Sequence, residues 1–310
     1  MASQFGKRIL VAIDESDRSV RTVQYIAENT FFRNVSINLF NVFTGAPEWY
    51  WDLTSEPSTL KASNNVLGWQ NQKREEIRTH LEKCKNILLA ADFNPNQIET
   101  TIYECRHGVA RDILDESRKG GYGAVVLRRR GTSNLEGLVM GSVALKLLGD
   151  IAPLIFAGQK PVNNRILIAV DGSERSNRAV DFVGEMLCGR NAKIKLVNVL
   201  RGRWGLDEKE YRDILFTDYI KDTESSMKAV LKDGRERLEK AGFGRDDLDT
   251  QIITGVESRA GAIVNVAEKE NFSTIVVGAK GLSRADEFIM GRVSSKLLYV
   301  GRQFHIWIVK

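Results

Sequence analysis

Three cysteines and three histidines in a chain of 310 residues leave little material for redox or transition-metal chemistry. Cys84, Cys105 and Cys188 lie far apart, are odd in number, and fit neither a Cys-x-x-Cys pair nor a zinc spacing. A disulfide framework is therefore excluded, and no metal site is read. Cys84 falls on an apolar helical stripe and Cys188 follows another, which predicts buried thiols. His80, His107 and His305 are equally scattered. Long apolar runs are missing as well. None approaches the roughly 18 residues that span a bilayer, and Met1–Gly6 is too short and polar for a signal peptide, so the expectation is a soluble, cytoplasmic chain without a membrane partner. Neither sign of charge dominates: 45 Lys and Arg stand against 40 Asp and Glu, a net charge of +5. That balance suits anionic ligands but is too weak for a nucleic-acid binder. Signatures of catalysis are absent too, with no GxxxxGK[ST] loop, HExxH, GxSxG or recognisable Cys/His pair.

What the sequence does contain is a duplication. Lys7–Glu28 reads KRILVAIDESDRSVRTVQYIAE and Asn164–Glu185 reads NRILIAVDGSERSNRAVDFVGE, with about half of the aligned positions identical. A second match closes each half, GLVMGSVALKLL at 137–148 and EFIMGRVSSKLL at 287–298. The length fits two domains. The polar segment GQKPVNN at 158–164 marks the boundary, giving domains 1–158 and 164–310, and so brief a linker keeps the halves in contact.

Within each half, strand-like runs alternate with helical periodicity. In the first, Arg8–Ile13 is a nearly continuous apolar run, as in a parallel strand buried on both faces. A helix follows from Asp17, then a strand at 36–43 and a long helix with Ile77, Leu81, Cys84 and Leu88 on one stripe. Strand 97–104, helix 110–119, strand 124–127, a glycine loop, helix 141–148 and strand 152–157 complete the unit. The second half repeats this, with strands near 165–170, 194–200, 250–254, 274–278 and 305–309. Such alternation predicts an α/β fold, an open, doubly wound parallel sheet with helices on both faces. Ligands of such sheets bind at the carboxyl ends of the strands where the strand order reverses, here after strands one and four.

After strand one stand Asp14-Glu15-Ser16 and Asp171-Gly172-Ser173. One residue of each trio caps the helix, while the aspartate can also accept hydrogen bonds from a sugar or purine. After strand four the second half reads Gly278-Ala279-Lys280-Gly281 and, nine residues on, Gly291. Glycines let backbone amides approach a phosphate closely, and the helix that follows favours an anion at its start.

A G-x2-G-x9-G-[S/T] pattern after a late strand, with an aspartate ending strand one, resembles the ATP-binding signature of the universal stress protein family, once per half over nearly the whole chain. The resemblance implies two Rossmann-like, doubly wound parallel five-stranded sheets of order 3-2-1-4-5. It also implies an internal pseudo-dimer through Ala152–Ala157 and His305–Val309, and ATP or another adenine nucleotide as ligand. Carried across residue by residue, it assigns Asp171, Val199, Gly278, Gly281 and Gly291 to the second site. Arg292 stands there in place of the usual Ser or Thr, and Ser294 keeps a hydroxyl two residues on. In the first half Asp14, Val42, Gly131, Gly141 and Ser142 match, but Arg128 replaces the first glycine, within Arg128-Arg129-Arg130.

Arg128 either fills the pocket or donates its guanidinium to phosphate, and Arg292 either pairs with polyphosphate or points into solvent. The complete glycine set favours the second half. Asp14 and Asp171 each offer one hard oxygen ligand to a magnesium ion. Three functions stay open: a nucleotide-responsive stress module acting through conformation or partner binding, a protein-contact scaffold with degenerate pockets, and a slow ATP hydrolase. The first is preferred, and an enzyme is not expected. A homodimer and a further protein partner are both compatible with the sequence. Of the aromatic residues after strand two, Trp49, Tyr50, Trp51, Trp69, Trp204, Tyr211 and Tyr219, most are expected to pack over the sheet as a lid, and the remainder to form a partner surface or a pocket cover.

Overall fold

The computed structural model of the protein describes residues 7–45, 60–129, 140–148, 152–201, 216–281 and 290–310. Its contacts divide it into two compact units, Gly6–Asp150 and Ile151–Lys310.

The first unit is built on β1 (Arg8–Ala12), β2 (Ser36–Phe43), β3 (Ile98–Glu104) and β4 (Ala124–Leu127), hydrogen-bonded in the order β3-β2-β1-β4. All pairings are parallel, with Ile9 opposite Ile37 on one side and Ala124 on the other. Ile9, Leu10 and Val11 have no solvent exposure, because helices cover both faces of a central parallel strand. Burying each such side chain contributes about 1.5–3 kcal/mol. The helices are α1 (Asp17–Glu28), α2 (Leu60–Ala90), α3 (Val109–Lys119) and α4 (Ser142–Leu147). On α2 the predicted stripe is the buried one: Ile77, Leu81, Cys84 and Leu88 are at most 2 % exposed.

The second unit repeats the plan with β6 (Arg165–Ala169), α5 (Glu174–Leu187), β7 (Lys193–Arg201), α6 (Phe216–Lys240), β8 (Leu248–Val256), α7 (Arg259–Lys269), β9 (Thr274–Gly278), α8 (Arg292–Val300) and β10 (His305–Val309). Its order β8-β7-β6-β9-β10 is the predicted 3-2-1-4-5. β5 (Leu154–Phe156), the last strand of the first repeat, belongs to this unit and pairs antiparallel with β10, Ile155 opposite Trp307. The chain leaving β5 is pinned at once. Gly158 N–H donates to His305 Nδ1 at 2.9 Å, so the ring carries its proton on Nε2 and donates to the Lys160 carbonyl at 2.9 Å. A Cβ at Gly158 would stand 2.3 Å from the Phe304 carbonyl oxygen, so this close approach needs glycine.

One expectation from the sequence is corrected. Cys188 is exposed, because α5 ends on it in a left-handed C-cap (φ 49°) whose side chain leaves the apolar stripe. Trp69 is 45 % exposed, as is Leu67 near it. Trp49, Tyr50, Trp51, Trp204 and Tyr211 lie outside the described residues, as does the side chain of Tyr219.

Candidate functional site

In both repeats the chain leaving strand one is shaped by its aspartate. Asp14 Oδ1 accepts from the N–H and hydroxyl of Ser16, and Asp171 Oδ1 accepts from Ser173 N–H at 3.0 Å. Each carboxylate closes a turn of its own chain. Ser173 caps α5 by accepting from Ser176 N–H, whereas Ser16 makes no such bond and turns its hydroxyl to Asp14.

Beyond this shared corner the repeats diverge. In the first, the carboxyl ends of β1, β2 and β4 and the start of α4 enclose a cavity of about 400 Å³. Asp14, Val42, Gly141, Ser142 and Arg128 all line it, as do Val109 and Arg129. Gly131 lies outside the described residues. Arg128 does not fill the space. It is half-buried, and its Nη1 lies 3.5 Å from the Arg18 carbonyl, the hydrogen bond it makes among the described residues. Burial, then the neighbouring Arg21 and Arg18, push its guanidinium below the ordinary value, while Asp14 opposes them.

The second repeat uses the same positions for its own packing. A Cβ on Gly278 would stand 2.9 Å from the Arg175 carbonyl carbon, one on Gly281 would stand 2.1 Å from Asp171 Oδ2, and one on Gly291 would stand 3.2 Å from Lys280 Cα. These three glycines thus admit neighbouring parts of the same chain. Ser294 is 2 % exposed, and its hydroxyl donates to the Gly278 carbonyl at 2.7 Å, so it holds the loop in place. Val199 is buried, with its carbonyl accepting from Arg259 Nε at 3.1 Å. Arg292 opens α8 as an exposed side chain. Position 259 corresponds to Val109 in the first repeat and position 278 to Arg128. The arginine has therefore changed sides: it rises from the strand end in one repeat and reaches in from the helix in the other.

Sequence reasoning overlooked three residues here. Asn41 and Asn198, buried at matching positions in FNV and VNV, each donate Nδ2–H to the carbonyl of the residue before the aspartate, Ile13 at 2.9 Å and Val170 at 2.7 Å. The repeated asparagine was the available signal. His80, distant in sequence, brings Nε2 to 2.8 Å from the hydroxyl of Ser19 in the cavity wall. Burial lowers its pKa most, aided by Lys83 and opposed by Asp14, Asp17 and Glu15. Ligand atoms of His107, Asp112 and Asp115 also lie within 4.8 Å of one another. Asp112 already accepts from the Arg106 and His107 backbone amides, which fixes the loop before α3.

The model of the universal stress protein family matches residues 6–151 and again 163–300. The universal stress protein YxiE of Bacillus subtilis is 27% identical over 139 residues, covering 43% of this chain and 90% of that protein. A universal stress protein of Mycobacterium tuberculosis is 28% identical over 133 residues, covering 43% and 86%. Each relative corresponds to less than half of this chain. Among solved structures, a universal stress protein of Archaeoglobus fulgidus covers 100% of this chain and 99% of its own at a TM-score of 0.63 and 18% identity. A Pseudomonas aeruginosa protein of unknown function covers 99% and 93% at 0.55 and 15%. At such identity these two speak for the fold alone. No helix among the described residues is long and apolar enough to cross a membrane. With its family model matched once in each repeat, the chain belongs to the universal stress protein family as a tandem of two such domains.

Proposed function

We propose that this protein is a cytoplasmic stress-response module that binds an adenine nucleotide, ATP foremost, in its first repeat and passes the bound state to a protein partner or a second copy. The observation that carries the reading is the cavity of about 400 Å³ in which Asp14, Val42, Gly141 and Ser142 stand together. The residues present fit such a ligand. Asp14 supplies a carboxylate for ribose or purine, the β2 end at Val42 and Gly141 line the wall, and Ser142 at the start of α4 brings its backbone amide and hydroxyl to the phosphate end. A magnesium ion accompanying the phosphates would have Asp14 as its hard-oxygen ligand.

The same reasoning moves the preferred site away from the second repeat. There the glycines, Asp171, Val199 and Ser294 are engaged with one another or with neighbouring parts of the chain, Arg259 among them. The second domain then serves as the contact half of the module. Binding rather than turnover is the proposed purpose.

The test is calorimetric titration of ATP, alongside mass spectrometry of nucleotide released from freshly purified protein. Val109→Trp, which fills the first-repeat cavity, is expected to abolish the heat, and Gly281→Trp is expected to leave it. Neither released nucleotide nor heat from the unmodified protein would leave a protein-contact scaffold as the better account.

A further inference from the structure

We infer that the first-repeat cavity selects nucleotides carrying a linear chain of two or more phosphates, and that Arg128 is the residue that sets this preference. The inference rests on the nucleotide reading above and adds the ligand's charge class.

Three guanidinium side chains, Arg18, Arg128 and Arg129, line the cavity against two carboxylates, Asp14 and Glu15. The wall is therefore net positive, and Arg128 is its strained member. A half-buried cation ordinarily finds a carboxylate or several carbonyls. The hydrogen bond that Arg128 makes among the described residues is one 3.5 Å contact to a carbonyl. Two further guanidinium groups stand close enough to disfavour its charge, and Asp14 compensates only in part. Several negative charges at that wall relieve both repulsions together. A neutral nucleoside relieves none, and a cyclic monophosphate brings a single charge.

The positive lining also continues. A second cavity of about 410 Å³ shares Val109, Ser142 and Val143 with the first, and it adds Arg111 and Lys146 with no acidic residue among its described lining residues. Past Ser142, a phosphate chain thus meets further cations rather than a carboxylate. In the second repeat the corresponding strand end is Gly278, against which the Arg175 carbonyl packs, so this device belongs to the first repeat alone.

Adenosine, AMP, cyclic AMP, ADP and ATP titrated into the full chain and into Arg128→Gly and Arg128→Lys variants test the inference, with circular dichroism to confirm folding. The unmodified chain is expected to bind ATP about tenfold to hundredfold more tightly than AMP, as one added charge-assisted contact allows. Arg128→Gly is expected to bring ATP within about threefold of AMP while leaving adenosine unchanged. Arg128→Lys, which keeps the charge but not the planar fork, is expected to fall between. Added salt is expected to weaken ATP and spare adenosine. Equal binding of AMP and ATP by the unmodified chain would overturn the inference while the nucleotide reading stands, as would an ATP preference that survives Arg128→Gly. No binding of any of the five ligands would remove the nucleotide reading itself, and the selectivity with it.

Discussion

Val109 and Arg259 occupy matching places at the start of a helix, and the difference in their length decides what the end of strand two can do. With valine, that strand end faces a cavity. With arginine, the Val199 carbonyl is already taken. Neither residue belongs to the glycine pattern that drew attention to the loops. The aspartates, the glycines and the serines were readable from the sequence because their spacing recurs. Whether the carbonyl at the end of strand two is taken was not, since it depends on a side chain that reaches across from another element. Ser294 carries a prediction at this scale. Its hydroxyl is buried and donates to the Gly278 carbonyl, so Ser294→Ala leaves a buried acceptor without that donor, at a cost of about 1–3 kcal/mol. Urea unfolding measures it. The matching position in the first repeat is Ala144, also 2 % exposed, so the first repeat lacks this bond. A loss below about 0.5 kcal/mol would mean that a water replaces the serine.

At the scale of elements, α1 and α2 are clipped together at one polar point. The Ser19 hydroxyl lies 2.7 Å from the Asp14 and Ser16 carbonyls and 2.8 Å from His80 Nε2. With the hydroxyl proton given to a carbonyl, the imidazole donates to Ser19 and stays neutral. The long apolar stripe of α2 was plain from its periodicity. The clip was not, because a lone histidine on the polar side of a helix carries no periodic signal. In the second repeat Val230 holds the corresponding place, with its methyl 3.0 Å from where a Cβ on Gly172 would lie. The direction of the His80 shift gives a pH dependence. Its folded pKa lies below the unfolded value, so the unfolded chain takes up the proton first. The stabilisation is complete above the unfolded value of about 6.5 and is lost as pH falls toward the folded one. His80→Gln keeps a donor for Ser19 but does not titrate. Its unfolding midpoint in urea is expected to fall less than that of the unmodified chain between about pH 7 and pH 5. Parallel pH curves for the two proteins would show that His80 does not supply the effect.

For the molecule as a whole, duplication produced two domains with one plan and different sites. The five-strand order of the second repeat and the buried central strands of both follow from apolar runs that the repeat makes easy to see. Once two copies exist, each is free to change its contacts, and among the described residues the first lines a cavity with Asp14 while the second packs Asp171 against Gly281. This asymmetry predicts one nucleotide per chain, and hydrogen exchange under saturating ATP locates it. Slower exchange is expected at 13–19, 41–42, 128–129 and 141–144, the segments that meet at the first-repeat cavity. Their counterparts at 170–176, 198–199, 278–279 and 291–294 are expected to stay unchanged, because there Arg259 holds the Val199 carbonyl, Ser294 holds the Gly278 carbonyl and Asp171 Oδ2 lies against Gly281. Ligand at about a hundred times its Kd stabilises what it binds by about 2.7 kcal/mol, enough to slow exchange through local opening roughly a hundredfold. Protection at the second set, or at both equally, would return the nucleotide to the repeat with the complete glycine pattern. It would also require Arg259 to leave the Val199 carbonyl on binding, which Arg259→Val would then make easier.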